Sequence, residues 1–329
     1  MPRMKIAGIG MCVPDRVVRN AELEPMMDTS DEWIQKRTGI EERRWATPDV
    51  QLSDLALTAS TRALEDAGVE AADIDMIVFA TLSGEMQYPG TGVFLQAKLG
   101  LKGVPALDVR NQCSGFLYGL AVANGMIVSG MYRRILLVGA EIQSRGILKT
   151  PAGRDSAVIF ADGAGAVVLT PSDDETGLID VYLGADGRFG EELMANGMGS
   201  RWEGFVTQEH LDTHSHRPFM NGRAVFKHAV TKMPMTIKTI CERNQVAIDD
   251  IDVLIPHQAN LRINEVVGQA LGLEKKTFNN IQKYGNTTAA TIPICMREAL
   301  DEGFLKPGQL LALTAFGSGF CWGSALIRM

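Results

Sequence analysis

Three segments of this chain return, in the same order, about half a chain length later. AADIDMIVFA (71–80) is echoed by DDIDVLIPHQ (249–258), QAKLGLKG (96–103) by QALGLEKK (269–276), and RILLVGA (134–140) by QLLALTA (309–315). Ordered echoes at a nearly constant offset mark a duplicated unit. If the two copies pack about a pseudo-twofold axis, their equivalent loops converge on one central place. The polar stretch PSDDET at 171–176 is the natural seam, dividing the chain into halves 1–172 and 173–329.

Each half alternates two kinds of pattern. KIAGIG, IDMIVFATL, RRILLVGAEI, GAVVLT, DVLIP and QLLALTAF read as strands, while SDLALTASTRALEDAGV and FKHAVTKMPMTIKTICERN read as helices. Uninterrupted apolar strands between amphipathic helices predict sheets covered on both faces, an α/β layered fold. The bulk numbers exclude several functions. A net charge of −7 argues against the broad basic face of a general nucleic-acid binder. No apolar run approaches the roughly 18 residues of a membrane span. The opening MPRMKIAGIGMCVP lacks the apolar core of a signal peptide, so the expectation is a cytoplasmic protein. The five cysteines are odd in number and widely spread, with no CxxC, which disfavours disulfide scaffolds and structural zinc sites.

One cysteine stands apart. Cys113 precedes SGFLYGLAVANGMIVSGMY, which is apolar nearly all round and predicts a buried helix. At its amino end the helix dipole favours a thiolate, and exposed backbone N–H groups can receive an oxyanion. The plain alternative is a small, inert filler, as for Cys12, Cys241, Cys295 and Cys321. Carrying the LGL offset of 172 forward places Cys113 against Gly285, next to Asn286. The echo of the loop after IDMIVFA contains His257, just past the carboxyl end of a strand, where ligand chemistry in open α/β sheets gathers. Taken singly, His257 reads as a structural histidine and Asn286 as a helix cap. Together with Cys113 they place a nucleophile, an imidazole and a neutral amide on loops that pseudo-symmetry gathers.

DVRNQCSGF, IPHQANLRI, KYGNTTAATIP and the terminal AFGSGFCWGSALIRM resemble the catalytic segments of the β-ketoacyl-acyl-carrier-protein synthase III family, and the likeness runs from SDEWIQKRTGIEERRW to the end. The resemblance implies a thiolase fold, with two pseudo-symmetric halves in an α-β-α-β-α core. It implies that Cys113 is acylated by acetyl-CoA or another short acyl-CoA, and that malonyl on acyl carrier protein is then decarboxylated and condensed. His257 and Asn286 complete the triad, and the backbone N–H groups of Cys113 and Ser318 form an oxyanion site. Trp33, Arg37, Arg154, Asn221, Gly222, Phe226, Ala259 and Asn260 match coenzyme A positions. Tyr88 matches an acyl-pocket residue that reaches across a homodimer interface. Lys227 and Arg262, with Lys275 and Lys276 beside them, suit docking of the acidic carrier protein. No metal and no cofactor is implied, since acyl-CoA is a substrate.

The sequence departs from that pattern in two places. The stretch 188–222 looks longer, and Asp155 stands after Arg154 where the family usually has glycine, setting a carboxylate beside a phosphate. Within 188–222, His210, His214 and His216 lack a zinc-site spacing and read as a polar loop. Two further readings remain: a paralogue priming a secondary-metabolite pathway or transferring acyl groups, and a non-catalytic subunit of a condensing complex. The second is disfavoured by the presence of Cys113, His257 and Asn286 together.

Overall fold

The computed structural model describes residues 3–196 and 199–329. The first sheet orders its strands Arg3–Cys12, Asp162–Ser172, Ile135–Ile142, Met76–Ala80, Ala106–Val109. The second orders Gly177–Ala185, Cys321–Arg328, Leu310–Gly317, Val253–Pro256. The echo is visible strand by strand. Met76–Ala80 runs parallel to Ile135–Ile142, as Val253–Pro256 does to Leu310–Gly317, and antiparallel strands follow in each sheet. Where Ala106–Val109 closes the first sheet, a single parallel bridge from Leu254 to Thr277 stands in the second.

Period-two alternation explains the uninterrupted apolar runs, because each strand feeds two cores. In Ile135–Ile142, Ile135 and Leu137 point to the centre, while Leu136, Val138, Ala140 and Ile142 point outward. In Leu310–Gly317, Leu311, Leu313 and Ala315 point to the centre, and Leu310, Ala312 and Phe316 outward. Between the sheets lie two helices, Gly115–Val128 and Thr291–Asp301. Helices Leu52–Ala67 and Thr91–Lys98 cover the outside of the first sheet. Gly222–Arg243 and Leu261–Leu271 cover the outside of the second. The result is five layers, α-β-α-β-α, whose central core draws on both halves of the chain.

The turn that opens the second central helix lies against strand Ile135–Ile142, and the chain allows it by omitting a side chain. A Cβ on Gly139 would lie 2.4 Å from the carbonyl oxygen of Ala289. The register also corrects the sequence expectation. The turn Gln112–Ser114 and its helix correspond to the turn Thr288–Ala290 and its helix, so the counterpart of Cys113 is Ala289, not Gly285. The connection after LGL is longer in the second half, and Asn286 sits three residues ahead of the true equivalent. The two loops still converge.

Candidate active site

Cys113 lies in the 3-10 turn Gln112–Ser114 at the amino end of the first central helix. Gln112 takes φ 45°, in the left-handed region, so the chain bends sharply just before the cysteine. The Cys113 sulfur faces the end of strand Leu310–Gly317. A Cβ on Gly317 would lie 2.7 Å from Cys113 Cβ and 3.2 Å from its Sγ, so no other residue lets that backbone come so near. The approach brings the Ser318 N–H onto the cysteine sulfur, alongside the N–H of Cys113 itself. These are the two N–H groups that the resemblance assigned to an oxyanion.

The thiol is nevertheless not poised as a thiolate. Burial pushes Cys113 up to about 12, and the charge of Glu141 adds to the rise, outweighing the two backbone donors. Burial of this helix end opposes the help expected from the helix dipole. Glu141 is the residue that sequence reasoning missed. It is wholly buried and accepts bonds from Thr81 Oγ1, the N–H groups of Leu82 and Ser83, Ser83 Oγ and Gln143 Nε2. Even so, burial raises its carboxyl to about 7. A glutamate inside the apolar run RRILLVGAEI was the available signal, since charged residues are almost never fully buried without partners.

His257 follows strand Val253–Pro256, and its N–H donates to Thr314 O at 2.8 Å. Nδ1 lies 2.6 Å from Thr291 Oγ1, while Nε2 is buried without a partner among the described residues. Burial pushes the imidazole down to about 3, so it is neutral at physiological pH. Asn286 is held by backbone bonds at both ends, its N–H to Ile159 O and its carbonyl to the Ala161 N–H, each 2.9 Å. Its Oδ1 accepts the Thr288 N–H at 2.8 Å, which turns the amide NH2 the other way. Cys113, His257 and Asn286 line one cleft, with Ala259, Asn260, Gly222 and Phe226 along its course. Leu193, Met220, Val225 and Ile263 add apolar wall that sequence reasoning did not name.

The remaining sequence candidates divide by place. On helix Asp31–Thr38, Trp33 is flanked by two guanidiniums, Arg37 at 4.7 Å and Arg154 at 4.8 Å from the ring centre. Arg154 also donates to Asp28 O at 3.0 Å and lies 3.6 Å from Asp155, so the acid that departs from the family pattern is paired with the arginine beside it. Asn221 and Asn260 cap the helices Gly222–Arg243 and Leu261–Leu271, and their amide nitrogens bond Glu192 and Arg37 O. Lys227 and Arg262 are exposed, with Arg262 over the Phe226 ring. Lys276, by contrast, is tied to the carbonyls of Asp249 and Ile251 and does not serve a free rim. Tyr88 does not line this cleft: it is 83% exposed, on the loop between Met76–Ala80 and Thr91–Lys98.

The stretch 188–222, of which Gly197 and Met198 lie outside the described residues, folds as a ribbon, Leu193–Ala195 against Pro218–Met220, with a short helix at Gln208–Asp212. It walls the cleft through Leu193 and Met220. Its histidines are used locally: His210 Nδ1 caps at Thr207, and His216 Nδ1 meets His210 O. Among the described residues no three His, Cys, Asp or Glu side chains gather as a metal-ligand group, and no helix is long and apolar enough to cross a membrane.

The comparisons agree with this geometry. The family model described as 3-oxoacyl-[acyl-carrier-protein (ACP)] synthase III matches residues 107–187, and its C-terminal companion matches 241–329. The β-ketoacyl-[acyl-carrier-protein] synthase III of Caldanaerobacter subterraneus subsp. tengcongensis is 44% identical over 324 residues, 98% of this chain and 97% of that one. The crystal structure of 3-oxoacyl-[acyl-carrier-protein] synthase III from Aquifex aeolicus VF5 superposes with a TM-score of 0.91 at 39% identity, covering 99% and 100% of the two chains. The priming β-ketosynthase of the R1128 polyketide pathway gives 0.90 at 31%, covering 99% and 96%. These alignments run nearly end to end, so the 188–222 stretch is no added domain.

Proposed function

From the premise that the chain belongs to the β-ketoacyl-[acyl-carrier-protein] synthase III family of thiolase-fold condensing enzymes, we propose the following reaction for its cleft. The sulfur of Cys113 attacks the carbonyl of a short acyl-CoA, acetyl-CoA being the simplest. The carbon–sulfur bond to coenzyme A breaks, and the thiol proton leaves on the coenzyme A sulfur. Malonyl-acyl carrier protein then enters and loses CO2. The electron pair of the broken carbon–carbon bond forms an enolate, which attacks the acyl-cysteine. The β-ketoacyl product stays on the carrier protein, and Cys113 takes up one proton. This condensation begins fatty-acid synthesis.

The observation that carries the reading is the meeting of three groups in one cleft: the Cys113 sulfur under two backbone donors, the unpartnered Nε2 of His257, and the amide of Asn286. Covalent catalysis divides one hard condensation into two easier steps. The backbone pair is suited to the oxyanion formed on the acyl carbonyl. His257 and Asn286 are suited to the enolate oxygen, because both are neutral and asparagine cannot act as a base. A thiol raised to about 12 gives up its proton as attack proceeds and not before. Both steps run on the chain's own groups.

Trp33, Arg37 and Arg154 form the proposed nucleotide mouth, with Asn221, Gly222, Phe226, Ala259 and Asn260 along the path to Cys113. Lys227 and Arg262 are the proposed contacts for the carrier protein. A homodimer is proposed from the edge strand Ala106–Val109, which pairs on one side only, with exposed Leu107 and Tyr88 beside it. Tyr88 would then reach its partner's acyl pocket. Fatty-acid initiation is preferred to polyketide priming because the two synthase III relatives named above are 39–44% identical and the priming β-ketosynthase 31%.

The test is intact-mass measurement after incubation with acyl-CoAs of graded length. One acyl adduct is expected, selective for short chains and absent from Cys113→Ala. Acylation of the Cys113→Ala protein refutes the assignment.

A further inference from the structure

His257 presents Nε2 to the cleft, and a neutral imidazole carries its one proton on either of two nitrogens. The tautomer decides whether Nε2 can donate to an enolate oxygen or only accept. Burial keeps the ring neutral, so the choice is real. It is made on the far side of the ring, at the first residue of the second central helix.

Thr291 Oγ1 lies 2.6 Å from His257 Nδ1 and 3.1 Å from Thr288 O, and its single proton can serve only one of them. Two observations bear on that proton. The Thr288 carbonyl already accepts the backbone N–H of Thr291, so it keeps a donor whichever way the hydroxyl turns. Nδ1 is also the nearer of the two acceptors, at 2.6 Å against 3.1 Å. With the hydroxyl proton toward the nearer atom, Thr291 gives and Nδ1 receives.

We propose that Thr291 is a positioning residue that donates its hydroxyl proton to Nδ1 of His257, holding the ring proton on Nε2, where it points into the cleft. The inference rests on the reading of this cleft as a condensing site. It gives one turn of chain command of both donors. Asn286 Oδ1 is fixed by the N–H of Thr288, which aims its NH2, and His257 is fixed by Thr291. Thr288 sits between them at φ 52°, an outlier for a β-branched residue. Such strain persists where the surrounding structure overrides it, and it concentrates at functional sites.

The experiment has two arms on the full-length protein. In the first, nitrogen-15 histidine NMR of the wild type, with the His257 signals identified by their loss in His257→Gln, is expected to find the proton on Nε2. A proton on Nδ1 overturns the inference whatever the variants do. In the second, Thr291→Val, which keeps the shape and removes the hydroxyl, is expected to slow condensation with malonyl-carrier protein at least about tenfold, and more than it slows acylation of Cys113. Thr291→Ser is expected to restore condensation to within about threefold of wild type, because it keeps the donor. Wild-type condensation by a folded Thr291→Val protein overturns the inference; if that variant does not fold, the spectrum decides. Should His257→Ala condense normally, the reading of the site falls and this inference with it. Should His257→Ala be slow and Thr291→Val normal, only the inference falls.

Discussion

The floor of the cleft and its mouth are built on opposite plans. At the floor Cys113, His257 and Asn286 are each buried, and each is held by bonds to the two central turns and the strand ends. At the mouth Trp33, Arg37 and Arg154 are partly or wholly exposed and hold each other by stacked charge. The floor uses buried neutral groups, where a hydrogen bond aimed at developing charge is worth most. The mouth uses full charges in water, where each is worth little and several must add. Substitutions at the floor should therefore change rate, and substitutions at the mouth should change affinity.

The sharpest division is expected from His257→Ala and Asn286→Ala. Removing one aimed donor should lower condensation by about 10²–10³-fold. Acylation of Cys113, whose oxyanion is served by the Cys113 and Ser318 N–H groups, should lose much less. Separate mass-spectrometric acylation and carrier-protein condensation assays measure the two. Equal losses in both would erase the distinction between the two donor pairs.

The floor also has a signature in pH. His257 is held down to about 3 when folded, against an ordinary value near 6.5. Its contribution to stability is fully present above 6.5 and is lost as pH falls through about 3, because the unfolded chain takes up a proton that the folded site refuses. His257→Gln should therefore flatten the acid side of a plot of melting temperature against pH. The wild-type condensation rate should show no ionisation of His257 between about pH 5 and 8. An acid limb in that window that disappears in His257→Gln would mean that the site is wetter than its burial suggests.

How much of this was legible in the sequence differs in the same way. The duplication, the two sheets and the meeting of Cys113 with the His257 and Asn286 loops could be read from ordered echoes, because packing repeats when pattern repeats. The exact register could not, since loop length drifts between the halves and moved the partner of Cys113 from Gly285 to Ala289. Nor could the raised thiol of Cys113, which depends on burial depth and on Glu141 arriving from another strand. At the mouth, residue types were readable but their present engagements were not. Asn221 and Asn260 spend side-chain oxygens on helix caps, a role that asparagine signals as strongly as ligand binding.

Trp33→Ala is the principal test of the mouth. Arg37 and Arg154 both lie over the ring, and a flat purine can enter by displacing one guanidinium. Its loss should raise the KM for acyl-CoA about tenfold and leave kcat within about threefold, the pattern of a contact made equally in ground and transition states. A fall in kcat of the size expected for Asn286→Ala would mean that mouth and floor are coupled and that the contrast is false.

The smallest expected effect is the most discriminating about charge. Asp155 lies 3.6 Å from Arg154 with its own side chain 75% exposed, and Asp28 lies 3.7 Å away on the other side. Asp155 can act in two opposed ways: it repels an incoming phosphate, or it holds Arg154 where the phosphate needs it. Exposed pairs hold weakly, and Arg154 keeps its 3.0 Å bond to the backbone oxygen of Asp28 without any help from Asp155. Repulsion should therefore dominate. Asp155→Asn should lower the KM for acyl-CoA about two- to threefold at low salt, and the difference should vanish near 0.5 M salt, where the screening length falls to only about 4 Å. A KM that rises instead, and stays raised in salt, would show that the acid positions the arginine by geometry, giving the mouth a fixed part like those of the floor.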